Sequence, residues 1–97
     1  MPAGREMDAL IAKKVMDWDG VGLIKLSWGM TSFEDFQPSA RIADAWEVME
    51  KLDDLIIMKF FPGPWACGTQ DDFDTEEACE GPAPLAICRA ALKVVSK

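Results

Sequence analysis

Six of the chain's 17 acidic residues fall in one ten-residue stretch: Asp71, Asp72, Asp74, Glu76, Glu77 and Glu80. Carboxylates at this density suit three kinds of chemistry. They can form a solvated charge block that keeps a protein in solution. They can ligate calcium, because Asp72, Asp74 and Glu76 alternate as oxygen donors. The glycine and the terminal glutamate of an EF-hand loop do not fall in place here, which disfavours that reading. They can also dock on a basic groove of another protein, drawn in by long-range attraction and competing with phosphate for the same cations. All six residues are therefore candidate partner-binding groups.

The remaining chemistry is sparse. There is no histidine and no tyrosine. The commonest general base and most zinc patterns are thereby removed. Cys67, Cys79 and Cys88 are 12 and 9 residues apart. They form no CxxC pair, and an odd number rules out a fully paired disulfide framework within one chain. Ser27, Ser32, Ser39 and Ser96 have no GxSxG setting and no histidine to activate them. Gly20-Val21-Gly22 and Gly63-Pro64 are isolated turn signals, without the spacing of a phosphate-binding loop. No catalytic residue, metal site or cofactor is expected, so the chain reads as a non-enzyme, with catalysis by carboxylates alone, as in glycoside hydrolysis, left as an alternative. An alternative is a small-ligand or sequestering module with Trp28, Trp65 and Phe73 lining a pocket.

Ninety-seven residues at 49% hydrophobic and 28% charged suffice for one packed domain, 1–97, and argue against a disordered chain. The best apolar run, Leu55 to Phe61, is seven residues long and contains Lys59. It is far short of a membrane span. Residues 1–6 show no apolar signal segment, so reduced thiols in a cytosol are expected. Ten Lys and Arg against 17 Asp and Glu give a net charge of −7. That balance disfavours a nucleic-acid backbone binder.

The elements follow from periodicity. Met7, Leu10, Ile11, Val15 and Trp18 mark one face of a helix over about 5–18, ended by Asp17-Trp18-Asp19-Gly20 with glycine as terminator. Val21 to Trp28 alternates like a half-buried strand. Gly29 to Gln37 reads as a loop whose Phe33 and Phe36 fold back onto the core. Ser39 is a candidate N-cap for a second helix with Ile42, Trp46, Met49 and Leu52 inward. Leu55 to Phe61 suits a strand covered on both faces. Pro62-Gly63-Pro64 turns the chain into a returning strand, Trp65 to Thr69. Gln70 to Asp74 reads as a polar loop, and Thr75 to Glu80 as either a strand or a helical turn. Pro82 and Pro84 open a third helix, Leu85 to Ser96, with Leu85, Cys88, Leu92 and Val95 on one face. The expected fold is α+β: three helices packed on a small, mainly antiparallel sheet.

Three segments, DALIAKKVMDW (Asp8 to Trp18), ARIADAWEVMEKL (Ala40 to Leu52) and PLAICRAALKVV (Pro84 to Val95), resemble the phage ABA sandwich domain family in order and content. The resemblance is most specific in AWEV and PLAICRAAL. It implies a sheet packed with helices, a phage or prophage gene and a host-cytoplasm location. It brings no assigned reaction and hence no catalytic residues. Combined with the clustered acids, it leads to an expected role as a phage accessory protein. Such a protein would bind a host or defence protein with a basic surface, including as an inhibitor of a host defence complex. No direct nucleic-acid or membrane contact is expected, and homo-oligomerisation through exposed aromatics stays open.

Overall fold

Met7, Ile11 and Ala12 recur at helical spacing and are fully buried, which sets the inner face of α1 (Arg5–Lys14). The computed structural model describes residues 4–52, 54–59 and 63–95. Within them the order continues β1 (Ile24–Leu26), β2 (Gly29–Thr31), α2 (Ile42–Lys51), β3 (Ile56–Lys59) and β4 (Trp65–Gly68). It ends with α3 (Gln70–Asp74), β5 (Cys79–Gly81) and α4 (Ala83–Val95). The α+β class and the antiparallel pairing are as expected. The described residues, however, form four helices and two sheets rather than three helices on one sheet.

α4 organises the core. Ala86, Ile87, Cys88, Ala90 and Ala91 are fully buried, and the helix packs against α1, α2, β4 and β5. Four of its inward positions are alanine or cysteine, and such small side chains let several elements approach one helix closely. Leu85, Leu92 and Val95 flank this arc half-buried, so the buried centre lies on the Ile87–Ala91 side of the expected stripe.

The larger sheet has the order β3-β4-β5, antiparallel throughout. β4 is central, with Ala66, Cys67 and Gly68 buried. Phe60, Phe61 and Pro62, between β3 and β4 in sequence, lie outside the described residues. β3 is an edge strand, and Met58 and Lys59 are exposed. The described part of that expected strand, Leu55 to Lys59, is therefore not covered on both faces. Among the described residues β3 pairs with β4 alone, and β1 and β2 form a separate two-stranded sheet.

That second sheet corrects the loop expected over Gly29 to Gln37. Leu26 pairs with Gly29, so Ser27-Trp28 is a two-residue hairpin turn. Gly29 has φ 151°, a backbone conformation open to glycine, and this lets β2 begin directly after the turn. Beyond it, Phe36 is fully buried and Phe33 packs on the core edge. Phe33 stacks on Trp18 with centroids 4.6 Å apart, and the Arg5 guanidinium lies 4.3 Å from its ring centre.

Two helix termini also differ from expectation. α1 ends six residues before Gly20. Asp17 adopts φ 57°, and the Trp18 N–H donates to the Ala12 carbonyl at 2.9 Å, so an aspartate fills the left-handed position that usually favours glycine. Ser39 does not cap α2; Arg41 stands at its N-cap with no side-chain cap bond. The Ser39 hydroxyl instead accepts the Gly4 N–H at 3.2 Å, and its own N–H donates to Asp8 Oδ1 at 3.0 Å. This joins the start of α1 to the segment before α2.

The inner face of α2 is Asp44, Ala45, Glu47 and Val48, while Ile42 and Trp46 are each 50% exposed. The expected inward placement of Ile42 and Trp46 is thus corrected. Two carboxylates take inward positions because each finds a backbone donor: Gln37 N–H to Asp44 Oδ2 at 2.8 Å, and Ser27 N–H to Glu47 Oε1. A buried carboxylate with a hydrogen-bond donor avoids most of the desolvation cost that otherwise keeps acids outside.

Candidate functional site

Thr69 starts the acidic segment by ending β4 and capping α3. Its hydroxyl accepts the Asp72 N–H at 3.2 Å, and the Asp72 carboxylate accepts the Thr69 N–H at 3.0 Å. This reciprocal capping box makes residues 70–74 a short helix instead of the expected loop. The signal was present as Thr69-x-x-Asp72, with aspartate where glutamate or glutamine is usual.

Asp72 is 3% exposed and faces inward. Its second oxygen, Oδ1, lies 3.1 Å from Nζ of Lys93 on α4. The same ammonium donates to the Glu77 carbonyl at 3.1 Å and approaches the Glu77 carboxylate at 3.7 Å. The hydrogen bonds from Thr69 and Lys93 hold the Asp72 carboxyl below its ordinary value, against the opposing effect of burial. The hydrogen bond to Asp72 raises Lys93 in turn. Gly68 makes this packing possible, because a Cβ at that position would lie 2.8 Å from the Asp72 Cβ. Lys93 was not singled out by sequence, since its partners are 21 and 16 residues away.

The other five candidates face solvent: Asp71, Asp74, Glu76, Glu77 and Glu80 are all exposed. Asp74 accepts the Gln70 side-chain amide at 3.2 Å, and the Asp71 carbonyl accepts both the N–H and the hydroxyl of Thr75. Glu76 has φ 60°, which reverses the chain after α3, and the Glu77 N–H returns to the Asp72 carbonyl at 2.7 Å. Phe73, Glu76, Ala78 and Glu80 line an open groove of about 350 Å³. Its wall thus combines an aromatic ring with two carboxylates, a combination suited to a cationic side chain.

Neither Trp28 nor Trp65 lines this groove. Trp28 is 69% exposed at the tip of the β1-β2 turn, and Trp65 lies on β4 in the other sheet with Lys59 5.8 Å from its ring centre. The groove at Phe73 therefore holds one of the three expected aromatics. A second groove, about 310 Å³, lies between β1 and α2 and is lined by Lys25, Leu26, Ser27, Glu47, Glu50 and Lys51. Glu47 is committed there, receiving both the backbone N–H and the hydroxyl of Ser27. Burial pushes the Glu47 carboxyl up, but the Ser27 bonds outweigh it and the net shift is downward.

Among the described residues, no group of three or more Cys, Asp or Glu side chains is arranged to hold a metal ion. No described helix is long and apolar enough to cross a membrane.

Fold and surface together define a small acidic α+β domain in which buried carboxylates pin turns and five of the exposed ones, Asp71, Asp74, Glu76, Glu77 and Glu80, fall on one segment. The chain belongs to the phage ABA sandwich domain family, whose model matches residues 9–92. No curated protein and no solved structure matches it.

Proposed function

We propose that this is a non-enzymatic phage accessory protein that acts by binding, presenting Asp71, Asp74, Glu76, Glu77 and Glu80 to a basic surface on a host or defence protein. One observation carries the reading: the buried Asp72, paired with the part-exposed Lys93, anchors a segment on which five further carboxylates are exposed, with only Glu77 also near that ammonium. An anchored charge cluster loses less conformational freedom on docking than a floppy one. The groove beside Phe73 is suited to an arginine or lysine of the partner. Occupation of a nucleic-acid enzyme's basic groove would make the protein an inhibitor of a host defence complex, acting in the host cytoplasm.

The test is capture from host lysate with the intact chain and with a variant carrying D71N, D74N, E76Q, E77Q and E80Q. A defined partner should be recovered by the intact chain, with recovery falling as salt rises, and lost with the variant. Neutralising Asp17, Asp19 and Glu34 instead should leave recovery unchanged. Equal recovery by the five-site variant would refute the acidic surface. The groove volume also suits a small cationic ligand, for which the sign is a raised melting temperature in a ligand screen, reversed by E76Q and E80Q.

A further inference from the structure

The three cysteines, scattered in sequence, converge where β4, β5 and α4 meet. Cys67 on β4 is directly opposite Cys79 on β5 in the antiparallel register. Cys88 is buried on the inner face of α4, which packs on both strands. Residues directly opposed on antiparallel strands have Cα atoms about 4.5–5.5 Å apart and side chains on the same face. A disulfide needs a Cα separation of about 4.4–6.8 Å. The backbone geometry at Cys67 and Cys79 therefore meets the requirement without a change of register. Cys88 lies on the helix packed over the strands and is not opposite either cysteine in the strand register.

We propose that Cys67 and Cys79 form a redox-switchable cross-strand disulfide that closes the acidic segment into a covalent loop. The oxidant is a low-molecular-weight disulfide of the glutathione class. Cys79 is the entry point because it is only part-buried, whereas Cys67 and Cys88 are fully buried. The Cys79 thiolate attacks one sulfur of the reagent, breaking its S–S bond and releasing one thiol as a mixed disulfide forms. Cys67 then loses its proton and attacks the Cys79 sulfur, releasing the second thiol. Two electrons pass from the cysteines to the reagent, and the two thiol protons end on the released thiols. Cys67 needs no access to the reagent, because its target is the sulfur of the opposite residue.

Burial raises all three thiols, Cys67 and Cys88 to about 12, so the exchange is slow at neutral pH and accelerates with alkalinity. Lys93 and Arg89 partly offset this effect at Cys79. The closed loop would contain Gly68 to Ala78, hence Asp71, Asp72, Asp74, Glu76 and Glu77. A bond there constrains the unfolded chain and fixes the segment between β4 and β5. The inference is independent of the binding reading: the bond can form whether or not the acidic face has a partner.

The test is equilibration of the intact protein with glutathione disulfide, followed by denaturation, alkylation and cleavage after acidic residues. Such cleavage separates the three cysteines, since Asp71 to Glu77 lie between the first two and Glu80 between the last two. A Cys67–Cys79 linked peptide, with Cys88 alkylated, is the expected result. The melting temperature should rise by at least about 5 °C over the reduced protein and return on adding reductant. Cys79→Ala, at a part-buried edge-strand position, should fold and lose both the link and the shift. Three alkylated cysteines, glutathione retained on Cys79, or a Cys67–Cys88 or interchain link would each overturn the proposal.

Discussion

The Asp72 carboxylate bridges two elements, taking the Thr69 N–H on one oxygen and the Lys93 ammonium, 3.1 Å away, on the other. A capping residue and an interhelical ion pair are thus the same side chain. It seats α3 against α4 and leaves the neighbouring acids outside.

Replacing Asp72 by alanine removes the return bond of the capping box and leaves Lys93 without its closest carboxylate. Loss of a cap bond costs about 0.5–2 kcal/mol. Urea denaturation should show that loss for D72A, and hydrogen exchange should show faster opening at Thr69 and Glu77. Exchange as slow as in the parent would show that the box does not hold the segment.

Gly68→Ala tests the close approach from the other side. The new Cβ would lie 2.8 Å from the Asp72 Cβ, the root of that side chain rather than its flexible tip. Overpacking of this sort costs about 1–3 kcal/mol, so the chemical-denaturation midpoint should fall. An unchanged midpoint would mean that α3 shifts freely.

Glu47 fastens the β1-β2 hairpin tip to α2 through two bonds from Ser27. Ser27 is exposed, so water takes up its N–H after Glu47→Ala and the loss is the net worth of the bonds, about 0.5–1.5 kcal/mol. Stability should fall by that order. Because Trp28 follows Ser27 in the same turn, its fluorescence should become more readily quenched than in the parent protein.

Asp72 and Glu47 both have folded pKa values below their ordinary 3.8 and 4.5. Below those ordinary values the unfolded chain binds protons that the folded chain refuses. Stability therefore rises with pH through that window, and the contribution is complete above it. Acid titration of stability should show a loss that begins near pH 4.5 and deepens downward. D72N and E47Q should each flatten the profile; an unaltered profile in both would assign the acid sensitivity to other groups.

Asp17→Gly should stabilise the protein. Asp17 holds φ 57°, where a side chain costs about 1–2 kcal/mol relative to the right-handed helical region. Glycine's greater freedom when unfolded takes back part of that gain. A net increase of about 0.5–1 kcal/mol is expected by thermal or urea unfolding.

Much of the framework was legible because the local signals were strong. α1 and α4 announce themselves through apolar residues at helical spacing, and α4 begins beside Pro82 and Pro84 as its sequence requires. β3 and β4 form the hairpin expected from the Pro-Gly-Pro turn. The orientation of α2 was misread because Ile42 and Trp46 make a plausible apolar stripe. Nothing local reveals that Ser27 and Gln37 offer donors to Glu47 and Asp44 from 20 and 7 residues away. The same holds for the acidic segment: its location was visible, but the inward turn of Asp72 depends on Lys93.

By itself the sequence determined the α+β composition, the family, the acidic segment and the lack of histidine and tyrosine, because these rest on residue type and short-range spacing. Only the tertiary structure decided which carboxylates are fasteners and which face outward, which side of α2 is buried, and that Cys67 meets Cys79. Those outcomes depend on donors, cations and thiols brought together by strand pairing and helix packing across many residues, and short-range periodicity carries no record of such encounters.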